Sequence, residues 1–184
     1  MKATTKSWIS TLENNTTDYL TNFGELSEEI LNWKVNEEKW SIGQCIDHLN
    51  VTNKQYFAIF EKVIEGNYQS HWMRKMPGAT NFMGKMILDS VKPLNEKKVK
   101  TFAVFEPIQS NIGINVIEEF KKGQNSLQQY FERMDRLDAE KIIVSSPVNK
   151  YIVYTLAKAI DIVVVHEQRH FNQAKNVLQQ YQKQ

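Results

Sequence analysis

Val163-Val164-Val165-His166-Glu167-Gln168-Arg169-His170 is the stretch from which the rest of the chain can be read. Its two histidines stand four residues apart, a spacing that stacks both imidazoles on one face of a helix. That face also carries Leu156, Ala159, Val163, Ala174, Val177 and Tyr181, an apolar stripe at helical period, so both rings point towards a core. Burying two imidazoles is costly unless each nitrogen finds a partner. A shared divalent metal satisfies both without charging either ring. A third histidine, His48, sits far upstream on a comparable face.

Working outward, four stretches have helical periodicity, and only 4 prolines and 7 glycines punctuate the chain. An all-α domain is expected. The first helix is predicted over residues 5–21, with Ile9, Leu12, Thr16, Tyr19 and Phe23 on its inner line, followed by a linker holding Trp33 and Trp40. Ser41-Ile42-Gly43-Gln44 fits a capping box, in which serine and glutamine satisfy opposite backbone donors. The second helix therefore starts there and ends near Gly66-Asn67. Ile42, Ile46, Leu49, Tyr56, Phe60 and Val63 form its stripe, with Cys45, His48, Thr52 and Ile59 on the flank. The third, over residues 111–134, presents Ile117, Phe120, Gln124, Leu127, Phe131 and Met134 at steps of three and four. After the breaker Ser145-Ser146-Pro147, a fourth helix is capped by Thr155 and runs to about residue 180.

The second and third helices are separated by a long crossover and the third and fourth by a short connection. A four-helix bundle with one long crossover between helices 2 and 3 follows, the fourth helix antiparallel to the second. His48 lies about 10 Å along its helix from Ser41 at ~1.5 Å per residue, a level that His166 and His170 can meet from an antiparallel neighbour. The crossover contains Trp72, Met73, Met76, Phe82, Met83 and Met86 around Pro77-Gly78. A short helix over residues 80–90 and an extended run over 99–107 are expected in it. Because exposed methionines and aromatics are unfavourable in water, the crossover reads as a packed cover over one end of the bundle.

A chain of 184 residues with 41% hydrophobic content suits one domain, residues 1–184. A formal charge of +2 supplies no footprint for nucleic acid. Cys45 is the single cysteine, which suits a reducing cytoplasm. Neither a secretion signal nor a membrane span is legible, so a soluble cytoplasmic protein without a membrane partner is expected.

Three histidines leave at least one coordination position for water or substrate, whereas structural zinc sites usually close with four protein ligands. Cys45, one turn before His48, is the obvious fourth candidate, though a lone buried cysteine is more often a small core residue. The letters His166-Glu167-Gln168-Arg169-His170 match the H-E-x-x-H of metallopeptidases, but a ligand arriving from upstream and a closed bundle do not suit a peptide cleft. Glu167 projects about 100° around the helix from His166, so no general base is named. Gln124 faces the core, either towards a metal-bound water or towards a buried backbone group. His71 beside Trp72 reads as a surface or cover histidine.

Trp40-Ser41-Ile42-Gly43-Gln44-Cys45-Ile46-Asp47-His48-Leu49, with His166-Glu167-Gln168-Arg169-His170-Phe171-Asn172-Gln173-Ala174, resembles the DinB-like superfamily, also called the YfiT-like metalloenzymes. The similarity extends through residues 102–107 and Ser145-Ser146-Pro147. The resemblance implies a four-helix bundle with a long crossover and a divalent metal held by His48, His166 and His170; zinc or nickel is the metal expected for three imidazoles. It also implies a homodimer and, from related branches, hydrolysis or low-molecular-weight-thiol transfer as the reaction class, while leaving the substrate unspecified; a small-molecule substrate is expected from a metal-activated water or thiol. A noncatalytic metal-binding or stress-associated interaction protein is the alternative.

Overall fold

The computed structural model describes residues 1–93 and 111–184. Helices dominate it: α1 (Ala3–Phe23), α2 (Glu28–Asn32), α3 (Ile42–Ile64), α4 (Ala79–Val91), α5 (Asn115–Met134) and α6 (Leu156–Tyr181). The expected run over residues 99–107 lies outside the described residues.

Local chemistry sets the ends of the two helices that carry the histidines. Ser41 accepts from the Gln44 backbone N–H while Gln44 accepts from the Ser41 N–H, completing the capping box of α3. Gly66, at φ +73°, takes the left-handed turn that ends this helix. Thr155 caps α6 by accepting from the Lys158 N–H.

Side-chain pairs fix the helix directions. Asn50 bonds the Val116 carbonyl near the starts of α3 and α5, and Arg133 bonds Glu61 near their ends, so those two run the same way. Trp8 with Asp161 and Phe23 with Phe171 make α1 and α6 parallel. His48 meets His166 while Tyr56 meets Tyr154, just before α6, so α3 and α6 are antiparallel. The directions expected from a long crossover are those observed.

Two apolar clusters form the core. One holds Leu12, Phe60, Leu127, Phe131 and Val163; the other holds Tyr19, Phe23, Ile46, Leu49, Phe120 and Ala174. Asn15, Asn53, Gln124 and Glu167 lie between them along their respective helices, all buried.

Two features were not legible in the sequence. The short α2 occupies part of the expected linker, and Asn32 at its end donates to the Ile112 carbonyl and accepts from the Ile112 N–H. That clamp carries the chain into α5, which starts at Asn115 rather than at 111. A two-stranded antiparallel hairpin, β1 (Ile143–Ser145) and β2 (Val153–Thr155), precedes α6. Three-residue strands are too short for period-two alternation to show.

The crossover requires a correction. Its helix α4 was expected as a packed cover over one end; instead it lies along β2 and the flank of α6. Gly84 is the contact point, where an added Cβ would stand 2.9 Å from Lys158 Cγ and 3.0 Å from Tyr154 Cβ. Docking through that face turns the opposite one outward. Trp72, Met76, Phe82 and Met86 are 61%, 47%, 71% and 45% exposed. Gly84→Leu is expected to destabilise the fold by about 1–3 kcal/mol through overpacking, seen as a lower urea midpoint. Gly123→Ala, where an added carbon meets nothing within 4 Å, is expected to stabilise α5 by about 0.5–1 kcal/mol.

Candidate metal centre

His166 and His170 lie one turn apart on α6, and His48 faces them from α3. The Nε2 atoms of His48 and His166 are 3.3 Å apart, and those of His170 and His166 are 3.0 Å apart. In a tetrahedral zinc site with bonds of about 2.0–2.1 Å, the nitrogens stand about 3.3 Å from one another. The three rings thus fit a common divalent ion that accepts imidazole nitrogen. Sequence reasoning named this trio, and the fold brings all three together.

Electrostatics favours the form a metal needs. Burial, then the neighbouring His48 ring and Arg169, holds His166 well below the usual imidazole value. Burial, followed by His166, His48 and Arg169, does the same to His170. Neutral rings keep a lone pair for a ligand.

Cys45 does not join the group. It packs with Ile42, Ile46 and Leu49, and burial pushes its thiol pKa far up, away from the thiolate that ligation requires. His71 is also elsewhere, capping the 3-10 turn at Trp72–Lys75 by accepting from the Met73 N–H and standing edge-on to Tyr151.

Glu167 is the residue whose environment sequence reasoning missed. Its Oε1 accepts from Asn53 Nδ2 at 3.0 Å and from Gln124 Nε2 at 2.7 Å, and Oε2 accepts from Asn15 Nδ2 at 3.2 Å. One amide arrives from each of α3, α5 and α1. Asn15 also donates to the Val164 carbonyl, Tyr19 to the Glu167 carbonyl, and Thr16 to Gln124 Oε1. Gln124 thus finds a partner that the sequence did not offer, a carboxylate that accepts its side-chain N–H. The same bonds remove Glu167 from the role it has in a metallopeptidase, because the carboxylate is fully buried among core amides. The sequence signal, if any, was the set of amide residues on otherwise inward faces.

Two further groups frame the histidines. The Trp40 ring lies nearly parallel to His170 at 5.8 Å and tilts over His48 at 4.9 Å. Arg169 donates to the carbonyls of Ser90 and Lys92, joining the end of α4 to the helix between the two histidines.

The family model described as the DinB superfamily matches residues 11–174. The chain belongs to the DinB superfamily. All three histidines, Trp40 and the Glu167 network of this DinB chain fall inside the matched span. No curated protein and no solved structure matches it.

Burial pushes the Glu167 carboxyl from its ordinary 4.5 up to about 7, against the three amides that favour its charged form. Between those values the folded chain retains a proton that the unfolded chain has released. This group's contribution to stability therefore falls as pH rises through that window. In metal-free protein, wild-type stability relative to Glu167→Gln is expected to decline from pH 4.5 to 7 in urea titrations; a rise would contradict the assignment. Glu167→Leu removes the acceptor of three buried amides, of which Asn15 keeps the Val164 carbonyl, and is expected to cost about 2–6 kcal/mol for the two left stranded.

Proposed function

We propose that this DinB-superfamily chain is a divalent-metal-dependent enzyme in which His48, His166 and His170 hold the metal. The convergence of their nitrogens carries this reading. Among the described residues no fourth His, Cys, Asp or Glu joins the group, and three protein ligands are the donor set of catalytic rather than structural zinc sites. Zinc or nickel bound there supplies a coordination position that lowers the pKa of water towards ~7 or deprotonates a small thiol. Hydrolysis and low-molecular-weight-thiol transfer, each on a small-molecule substrate, are the two reactions within its reach.

The chain's own residues orient that site. Glu167 holds α6 in rotation against α1, α3 and α5, so the two histidines on the same helix face His48. Trp40 covers the ring faces of His48 and His170 and limits water there. Arg169 holds the end of the crossover beside the ligand helix, on a side from which substrate can approach half-buried His166. As part of the same proposal, the four long helices constitute a four-helix bundle with one long crossover, forming a single domain over residues 1–184. The protein works as a homodimer in the cytoplasm. No helix among the described residues is long and apolar enough to cross a membrane.

Burial of His48 and His170 favours a second reading, a noncatalytic metal-binding or stress-associated interaction protein whose metal rigidifies the helices. Metal quantification followed by a screen of thiol-dependent and hydrolytic substrates separates the two. One zinc or nickel per chain is expected, with affinity at least about 100-fold lower in His48→Ala and His170→Ala, since even removal of an outer partner costs 10–100-fold. Cys45→Ala is expected to bind metal as wild type does. Turnover that requires the metal and disappears in His48→Ala supports the enzyme; stoichiometric metal without turnover across the screen supports the second reading. Absence of metal binding by wild type sinks both.

A further inference from the structure

Seven large hydrophobic side chains are exposed among the described residues, and five of them gather in one region: Trp72, Met76, Phe82, Met86 and Tyr151. Their proximity comes from the fold. His71 touches the rings of both Trp72 and Tyr151, at 5.5 and 4.8 Å. The Met76 carbonyl accepts from the Ala79 N–H at the start of α4, and Phe82 and Met86 follow on its outer face one turn apart. The inner face is already used, with Ile87, Leu88 and Val91 packed against the core and Gly84 against Tyr154 and Lys158.

The charge around this face is uneven. Residues 71–92 contain Arg74, Lys75, Lys85 and Lys92 against Asp89 alone, in a chain whose total is only +2. The rest of the protein is therefore close to neutral and slightly acidic, with its excess of cations in the segment that exposes the apolar residues. Asp89 pairs with Lys85 and Lys92. Arg74 and Lys75 have no ion-pair partner among the described residues, and Lys150 adds a cation over the Tyr151 ring at 5.4 Å.

We infer that the face formed by Trp72, Met76, Phe82, Met86 and Tyr151, with Arg74, Lys75 and Lys150 next to its residues in the chain, docks on an anionic lipid bilayer. Exposed apolar clusters of this kind mark interaction sites. Tryptophan and tyrosine rings sit at the headgroup level of a membrane, phenylalanine and methionine reach the acyl boundary, and basic side chains meet anionic headgroups. A second copy of the chain fits the apolar part but not the charge: a two-fold contact through this face brings together two segments that each carry an excess of cations. Surface docking requires no spanning helix, so it is compatible with the absence of one among the described residues. The expectation of no membrane partner rested on the lack of a spanning segment, which surface docking does not need.

The test is sedimentation of the full chain with phosphatidylcholine vesicles, with and without phosphatidylserine. Binding is expected to the phosphatidylserine vesicles only, and to weaken as salt is raised. At about one kcal/mol per cation near an anionic surface, Arg74→Gln with Lys75→Gln is expected to weaken partition about thirtyfold. Phe82→Asp with Met86→Asp is expected to weaken it at least tenfold, while circular dichroism shows a wild-type melting curve because both side chains already face solvent. Equal pelleting with the two vesicle types, no pelleting with either, or unchanged binding by the folded Asp variant would overturn the proposal. So would a dimer in sedimentation velocity that the Asp variant abolishes without any vesicle binding by wild type, which would assign the face to a second copy. These outcomes are independent of whether the histidines hold a metal.

Discussion

One buried carboxylate holds this structure in register. Glu167 accepts from an amide on each of α1, α3 and α5, so the four long helices meet at a single polar point between two apolar clusters. Apolar packing is non-directional and tolerates small rotations or slips of one helix against another. Three hydrogen bonds from three directions do not, because a shift of one helix strands a donor at about 1–3 kcal/mol.

The candidate metal centre inherits that restraint. His166 precedes Glu167 directly and His170 follows one turn later, so the rotation that aims the carboxylate at the amides also aims both imidazoles towards α3. Asn53, which holds the carboxylate, lies on α3 five residues beyond His48. Each helix therefore carries an imidazole and a hub residue within two turns of each other. The H-E-x-x-H letters describe this arrangement poorly: in a metallopeptidase the glutamate serves the reacting water, whereas here it serves the fold while the histidines on the same helix face another way.

The crossover shows a different division of labour. Gly84 lets α4 approach Tyr154 and Lys158 closely, and Arg169 holds the far end of that helix beside the histidines. A helix docked on one face has another left over. On α4 that remaining face carries Phe82 and Met86, with Trp72 and Met76 on the turn before it. Apolar content alone therefore did not determine which side chains of α4 are covered; the side through which the helix docks did.

Several features were legible from residues alone because they are local. The capping box at Ser41, the Thr155 cap, the helical stripes and the His166/His170 pair all depend on neighbours within a few positions, where spacing dictates which side chains share a face. The long crossover fixed the relative directions through connectivity, and hence the level at which His48 could meet the other two. What only the tertiary structure decided depends on which face meets which. The partners of Glu167, the place of Trp40 against His48 and His170, the burial of Cys45 among aliphatic residues and the outward turn of Phe82 and Met86 each require contacts between distant segments. A periodic pattern tells a residue to point inward; it contains no term for what will be waiting there.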